Sequence, residues 1–581
     1  MRKNIRLGGT VMVYYGITIG PIVETLAQAT TPGSLWYASY MFSKLTEKIC
    51  EKLSEIDDIQ IISPYYTVSE NKEKDLKNQP SGKCEGYGKY HDRILFAIRE
   101  DDVLCKESRN NKDDFFTYNN NLLDNIMDEF IEDIVIDLQY DEVGFNNDDS
   151  RKVKEISFIK NYLQVSHISM YDDDSMIVEK HGVINALNYY LDCLEMSRTI
   201  FTQQQDYLNG TNLFQRLFYS VDEKESSHGK NVNIKNSKLM KPFISSENFT
   251  LLHKDTKEIR SMEDIARYTL EKKTKEGLRK RHYVAIVQAD GDNMGKYIKS
   301  IEKRCENRGL NLKQEMFHFS KKCMEYTTKS ADLIMEYGGI VIFAGGDDLL
   351  FLAPIQPSKD KNIYKLIKEI SDTFDSVFSA EINQQVGSGK RENKLSLSFG
   401  VSMNTEKFPL YEAFTAARNL LFNEAKAGIV KNNIAITLRK GNSVSFGFNM
   451  PITSNAFQKY CELVGKYYGL AEKIEEEQKR LNSVIYLFEN WGNMFAYALE
   501  KNDESVDNVF KNLFDHEIHE YTDEFLKDIK QLAKCVYCQY KSNLTKPIMN
   551  TSVVSENGGV KCIIALLHMA KFMIEKDIDE E

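Results

Sequence analysis

GGIVIFAGGDDLLFLAP occupies residues 338–354. Two apolar runs, GIVIFA at 339–344 and LLFLAP at 349–354, flank Gly345, Gly346, Asp347 and Asp348. Short apolar runs joined by glycine and aspartate read as a β-hairpin, because those residues accept the backbone angles of a tight turn. Upstream lies AIVQADGDNMGKYI, residues 285–298. Here HYVAIVQA (282–289) reads as a buried strand that ends by delivering Asp290, with Asp292 two residues on.

The surrounding pattern alternates strands with helices. A helix is expected over about 313–337, another over 361–382, and a strand at 395–403. A helix over 410–427 should stop at Gly428 in the C′ position, and IAITL (434–438) should close the sheet. The order strand–helix–strand–strand–helix–strand contains the split βαβ, ferredoxin-like core. The first half shows a comparable mixture: strands at 10–19, 59–63 and 92–98, with helices at 34–53, 119–133 and 183–208. Residues 69–83 and 106–121 read as surface loops. Beyond Asn449 only helices are expected, at 456–482, 484–500, 520–541 and 559–576. The fold class is α+β. Four domains are expected: 1–209 palm-like, 210–280 an irregular connector, 281–447 the acidic palm, and 448–581 helical.

Carboxylates at the ends of adjacent strands suit phosphoryl chemistry. Two divalent ions about 4 Å apart stabilise both attacking and leaving oxygens. Mg²⁺ takes a few carboxylates and fills its shell with phosphates and water. Asp290, Asp347 and Asp348 are therefore the candidate catalytic and metal-binding residues, for two Mg²⁺ or Mn²⁺ ions. Gly291, Asp292, Asn293 and Gly295 form a turn whose backbone amides face a triphosphate, and Gly345 and Gly346 leave room for a nucleotide. Lys426 is placed to reach phosphates as a point charge; a lysine stabilised by the helix C-terminal dipole is the alternative. A plain hairpin with solvated aspartates also accounts for the GGDD turn alone, but not for its pairing with Asp-Gly-Asp on this topology.

Composition sets limits. A chain of 581 residues with 42% hydrophobic and 28% charged residues is an ordinary globular protein. Net charge −11 argues against a generally basic surface, so any nucleic-acid contact needs local patches or other subunits; Lys272–Arg281 reads as a solvated linker or a phosphate-contacting patch. Ten scattered cysteines suit a reducing, cytoplasmic setting. The apolar run Val11–Val23 contains Tyr14, Tyr15, Gly16 and Thr18, which suit a strand better than a signal peptide, and no membrane-spanning run is present.

The AGGDDLLFL turn and the DGDNMGK strand end resemble the large polymerase-cyclase subunit of type III-B CRISPR effector complexes. ITIGPIVETLAQATTPGSLWYASYMFSKL (17–45) and YHDRILFAI (90–98) resemble that family's first, degenerate palm. The resemblance implies 3′–5′ joining of ATP into a cyclic oligoadenylate messenger when target RNA is recognised. It implies partner subunits, a guide CRISPR RNA and target RNA. It places metal binding on Asp290, Asp347 and Asp348, with Asp292 a weaker candidate. No HD nuclease domain is expected, since the chain starts almost directly at the first palm strand and His91-Asp92 is the one His-Asp pair. No zinc is expected: residues 200–280 hold no cysteine, and Cys535 and Cys538 read as buried helix residues, with His516 and His519 upstream. Nuclease-lacking members of the family imply a second reading, conjugation of ATP to S-adenosylmethionine. A silent RNA-binding scaffold is the third. A diguanylate cyclase is disfavoured because the turn ends Asp-Asp-Leu and not Glu-Phe.

Overall fold

A computed structural model describes residues 12–574 apart from 58, 68–85, 100–114, 119–120, 140–156, 158, 172–181, 198–238, 245, 247–248, 271–281, 359, 387–393, 429, 441–443, 469–473, 515–522 and 550–556. Expectations for 69–83, most of 106–121, 198–208, Lys272–Arg281, His516 and His519 lie outside these residues.

The first sheet comprises β1 (Met12–Gly20), β2 (Gln60–Ser63), β3 (Arg93–Arg99) and β4 (Gln164–Tyr171), in the order β2-β3-β1-β4. α1 (Pro32–Ser54) begins at a capping box, with Thr31 accepting from Ser34 N–H, and buries Leu35, Trp36, Phe42, Leu45 and Ile49. α2 (Leu122–Gln139) precedes β4, and α3 (Val183–Met196) packs on β1 and β4. The strand β4 had no counterpart in the sequence expectation.

The second sheet holds seven strands among the described residues. These are β5 (Tyr283–Asp292), β6 (Ile340–Gly345), β7 (Asp348–Pro354), β8 (Ser396–Thr405), β9 (Asn433–Lys440), β10 (Val444–Pro451) and β11 (Lys546–Pro547), ordered β11-β10-β9-β8-β5-β7-β6. Read as last–first–third–second, β8-β5-β7-β6 repeats β4-β1-β3-β2. Both halves thus carry the ferredoxin-like order, which confirms the α+β reading.

Two elements correct the expectation for this sheet. IAITL does not close it, because β10 and β11 extend it past Asn449. A helix, α4 (Met294–Arg308), starts straight after β5, so the expected turn through Gly295 is the first turn of a helix. Asn293 makes the bend alone, in the left-handed region at φ 62°. α5 (Leu312–Tyr337) then leads to β6.

Helices α6 (Ile363–Val377) and α7 (Ser379–Val386) stand where one helix was expected, divided at Phe378. α8 (Leu410–Asn419) crosses between the parallel strands β8 and β9. The C-terminal helices are α9 (Asn455–Tyr468), α10 (Ile474–Asn490), α11 (Gly492–Lys501), α12 (Asp503–Leu513), α13 (Asp523–Lys541) and α14 (Gly558–Ile574). α14 is buried on nearly every side, from Val560 to Ile574, as its uniformly apolar sequence requires. Cys535 and Cys538 do lie on a helix, α13, but one is half-exposed and the other exposed, not buried. Their polar setting follows from the amphipathic α13, which turns Ile529, Leu532, Val536 and Tyr537 to the interior.

Two compact units emerge. One comprises Met1–Ile259, Asn293–Asp332 and Ile342–Asp347; the other comprises Arg260–Asp292, Leu333–Val341 and Asp348–Glu581. Within the first, Glu302 of α4 is 4% exposed and its Oε1 accepts from Ile184 N–H at 2.7 Å, at the start of α3. Its Oε2 is buried with no hydrogen-bond partner. Burial pushes this carboxyl up to about 7, against the opposing pull of the Ile184 N–H. Gly182, at φ +83°, is obligatory here, because a Cβ would lie 1.7 Å from Oε2.

The unfolded Glu302 carboxyl loses its proton near 4.5 and the folded one near 7, so its contribution to stability is present below pH 4.5 and lost as pH rises to 7. Glu302→Gln keeps the acceptor and abolishes the charge. Its melting temperature should match the parent below pH 4.5 and exceed it increasingly up to pH 7, by the equivalent of about 3 kcal/mol at the plateau. A difference that does not vary with pH would remove the carboxyl as the cause.

Candidate active site

β5 is a central strand, and its two neighbours end at different places. With β7 the register runs to Ala289↔Leu349, and with β8 it continues through Asp290↔Ser398 to Asp292↔Ser396. One step past Ala289↔Leu349, Asp290 stands opposite Asp348, the first residue of β7. Directly opposed residues of an antiparallel pair share a face, with Cα atoms about 5.5 Å apart or less. The strand pairing therefore juxtaposes Asp290 and Asp348, although 57 residues separate them. Asp347 sits immediately before, in the two-residue turn Gly346–Asp347.

The glycines of the turn serve chain geometry. Gly346 has φ +63°, which glycine adopts without penalty. At Gly345 a Cβ would meet the Lys89 carbonyl oxygen at 2.3 Å. The space beside Gly345 is taken by residues 88–89, which pair with β6: Gly88 N–H donates to Ile342 O and Ala344 N–H donates to Gly88 O. The expectation that Gly345 leaves its Cβ direction open for a nucleotide is thus corrected. His91, beside Gly346, is a neutral side chain with Nδ1 accepting from Arg93 N–H and Nε2 bonded to Ser63 Oγ; burial and Arg93 push it down to about 4.

Lys426 completes the group. Its Nζ lies 2.7 Å from Asp290 Oδ2 and donates to Gly291 O at 2.7 Å. The lysine is presented by a π-helical turn, Leu420–Ala425, that continues α8, and Lys426 N–H donates five residues back to Leu421 O at 2.9 Å. The helix does not end at Gly428 in a left-handed C′ conformation: Lys426 itself is the cap, at φ −91°. The extra residue of the π turn follows from close packing on Gly400 of β8, where a Cβ would meet Ala417 O at 2.1 Å and Leu421 N at 2.5 Å.

Asp292 does a different job from Asp290. It is 2% exposed, and its Oδ2 accepts from Ser396 Oγ (2.8 Å), Ser398 Oγ (2.8 Å) and Asn432 N–H (3.0 Å). Asn433 Nδ2 donates to Ala425 O and Val430 O at 3.0 and 2.9 Å, and Asn449 Nδ2 to Glu424 O at 2.8 Å. These bonds clamp the segment carrying Lys426 between β5, β8, β9 and β10. Sequence reasoning missed the clamp. Its signal was present as serines at alternate positions in SLSFG and an Asn-Asn pair before a strand. Replacing Asp292 by Ala strands Ser and backbone donors in the interior and should cost about 3 kcal/mol in chemical denaturation. A loss below about 0.5 kcal/mol would show the clamp to be idle.

The described residues contain no group of three or more His, Cys, Asp or Glu side chains gathered to hold a metal ion. The donor set nevertheless fits Mg²⁺ or Mn²⁺: opposed carboxylates of Asp290 and Asp348, the turn carboxylate of Asp347 and the Gly291 carbonyl are all hard oxygens. One or two carboxylates with substrate phosphates suffice for Mg²⁺. The Asp290 and Gly291 oxygens already hold a cation, the Lys426 ammonium.

Two family models match segments of the sequence. The family model described as Cas10/Cmr2, second palm domain, matches residues 283–435, and that described as CRISPR-associated protein Cmr2, N-terminal, matches residues 14–134. The chain carries a Cas10/Cmr2 second palm domain and a Cmr2 N-terminal domain. It is 29% identical over 174 residues to the CRISPR system Cmr subunit Cmr2 of Pyrococcus furiosus, a match spanning 27% of this chain and 18% of that relative. The fold resembles a chain of the type III-B Cmr-beta complex in its apo state, at TM-score 0.53 and 12% identity, covering 97% of this chain and 82% of that one. A chain of the same complex bound to cognate target RNA matches at TM-score 0.50 and 12% identity, over 98% and 84%. The segment matched as the second palm domain carries GGDD, and the N-terminal match covers three strands of the first sheet. No helix among the described residues is long and apolar enough to cross a membrane.

Proposed function

We propose that this chain is a nucleotidyltransferase that joins ATP molecules into a cyclic oligoadenylate, as a cytoplasmic subunit of a type III-B CRISPR complex that responds to target RNA. The observation that carries the reading is the strand register that opposes Asp290 and Asp348 beside Lys426. In each step a ribose 3′-oxygen bonds to the α-phosphorus of a second ATP. The bond from that phosphorus to the bridging oxygen breaks, pyrophosphate leaves and the hydroxyl proton passes to solvent. Asp290, Asp347 and Asp348 would hold the divalent ions, which supply charge for the attacking and leaving oxygens. Lys426 offers the triphosphate a fixed positive charge, with Gly291, Asp292 and Asn293 shaping the approach. No side chain at the site is placed as a general base, so positioning and charge carry the catalysis.

A second reading changes only the acceptor, to S-adenosylmethionine. A cavity of about 380 Å³ in the first unit, lined by Tyr40, Tyr87, Tyr90 and Phe243, also holds Lys44 and Lys89, and its carboxylate, Glu47, is paired with Lys44, so it offers a sulfonium cation no free charge. The complex reconstituted with guide CRISPR RNA, partner subunits and target RNA decides. Mass analysis after incubation with ATP and Mg²⁺ or Mn²⁺, with and without S-adenosylmethionine, should yield cyclic oligoadenylate and pyrophosphate in both cases. A product formed only with S-adenosylmethionine would install the second reading, and no nucleotide product under any condition would leave a silent scaffold. The isolated subunit should be nearly inactive beside the complex.

A further inference from the structure

The Lys426 ammonium stands on two oxygens that a divalent ion would take. Nζ is 2.7 Å from Asp290 Oδ2 and 2.7 Å from Gly291 O, and the two side chains are only 17% and 20% exposed. A lysine placed only to meet phosphates would point outward. This one is drawn back onto the end of β5. Its backbone cannot retreat, because the π turn, Asn433, and the bond from Asn432 N–H to Asp292 hold the segment on both sides. Only the four-carbon stem is free to swing. An ammonium and a divalent cation cannot share the same two oxygens, since like charges within about 4 Å repel strongly in a site screened from water.

Building on the nucleotidyltransferase reading, we propose that Lys426 is a resident counter-ion which closes the catalytic metal seat in the nucleotide-free enzyme. The seat opens when Lys426 transfers its charge from Asp290 to the incoming triphosphate. Charge at Asp290 is then balanced in both states, first by the lysine and later by the metal. Metal and nucleotide binding become positively coupled through one side chain. The free protein accordingly holds divalent ions weakly, and ATP raises their affinity.

Mn²⁺ binding, followed by electron paramagnetic resonance of the free ion, tests this without any turnover. The full-length chain is titrated with Mn²⁺ in the absence of nucleotide and again with a non-hydrolysable ATP analogue. Lys426→Met should bind Mn²⁺ about tenfold more tightly than the parent without nucleotide, and lose most of the enhancement given by the analogue. Lys426→Arg retains the charge and should stay within about threefold of the parent without nucleotide, which separates charge from any change in packing. Unfolding curves confirm that each variant is folded. If Lys426→Met binds Mn²⁺ no better than the parent while Asp290→Asn loses binding, the seat stands and the lysine does not guard it. If Asp290→Asn binds Mn²⁺ as the parent does, the seat itself is misplaced and the catalytic reading falls with the proposal.

Discussion

Asp347→Ala combined with Asp348→Ala should abolish nucleotide product from the reconstituted complex, lowering its rate by about a thousandfold or more. Both residues lie at the half-exposed end of the β6–β7 hairpin, and neither fills a core position. The apolar pairs that hold β7 to β5, from Val284↔Pro354 to Ala289↔Leu349, stay intact in the variant. Assembly on size-exclusion chromatography and the thermal midpoint should therefore stay close to the parent, so the loss reports chemistry and not folding. The assay is release of pyrophosphate and labelled product from ATP with target RNA present. Unchanged product would end the catalytic assignment of the hairpin.

Gly400→Ala should have the largest effect on the fold for its size. The added Cβ would meet Ala417 O at 2.1 Å and Leu421 N at 2.5 Å, and both are backbone atoms that cannot rotate away. β8 has to separate from α8 and the π turn, at a cost of about 3 kcal/mol or more. The same separation shifts Lys426, five residues beyond Leu421, away from Asp290. Product formation should consequently fall further than the unfolded fraction accounts for. Denaturant midpoints and product yield measured on the same preparation check both parts. A midpoint within 0.5 kcal/mol of the parent would show that the packing at Gly400 relaxes freely.

The hairpin and the strand end at Asp290 were legible because their chemistry is local. Apolar runs bounded by Gly and Asp announce strands and turns by period and by turn propensity. The βαββαβ order was legible for the same reason, as were α1 and α5, whose apolar positions recur at helical spacing. Three features stayed hidden. α4 was read as part of a glycine turn, since Met294–Arg308 is strongly polar and its apolar positions, Tyr297, Ile301 and Cys305, are few. β10 was lost among the helices that follow it, because VSFGFNMP contains a glycine and ends in proline. The π turn at Leu420–Ala425 leaves no mark in a hydrophobic pattern, being one residue of excess in an otherwise regular helix.

What the sequence alone determined is the set of candidate acidic groups and the strands that carry them: Asp290 at the end of β5, and Asp347 and Asp348 at a Gly-Gly turn. Tertiary structure decided how those groups are held. Asp292 is the weaker acidic candidate in sequence, and strand register buries it against Ser396 and Ser398, where its Oδ2 clamps the loop before β9. Lys426 reads in sequence as a phosphate contact or a helix-end lysine, and the structure sets its ammonium 2.7 Å from Asp290 Oδ2. The reason is that propensity and periodicity act over a few neighbouring residues, whereas a charge finds its partner through register and close packing between segments more than one hundred residues apart.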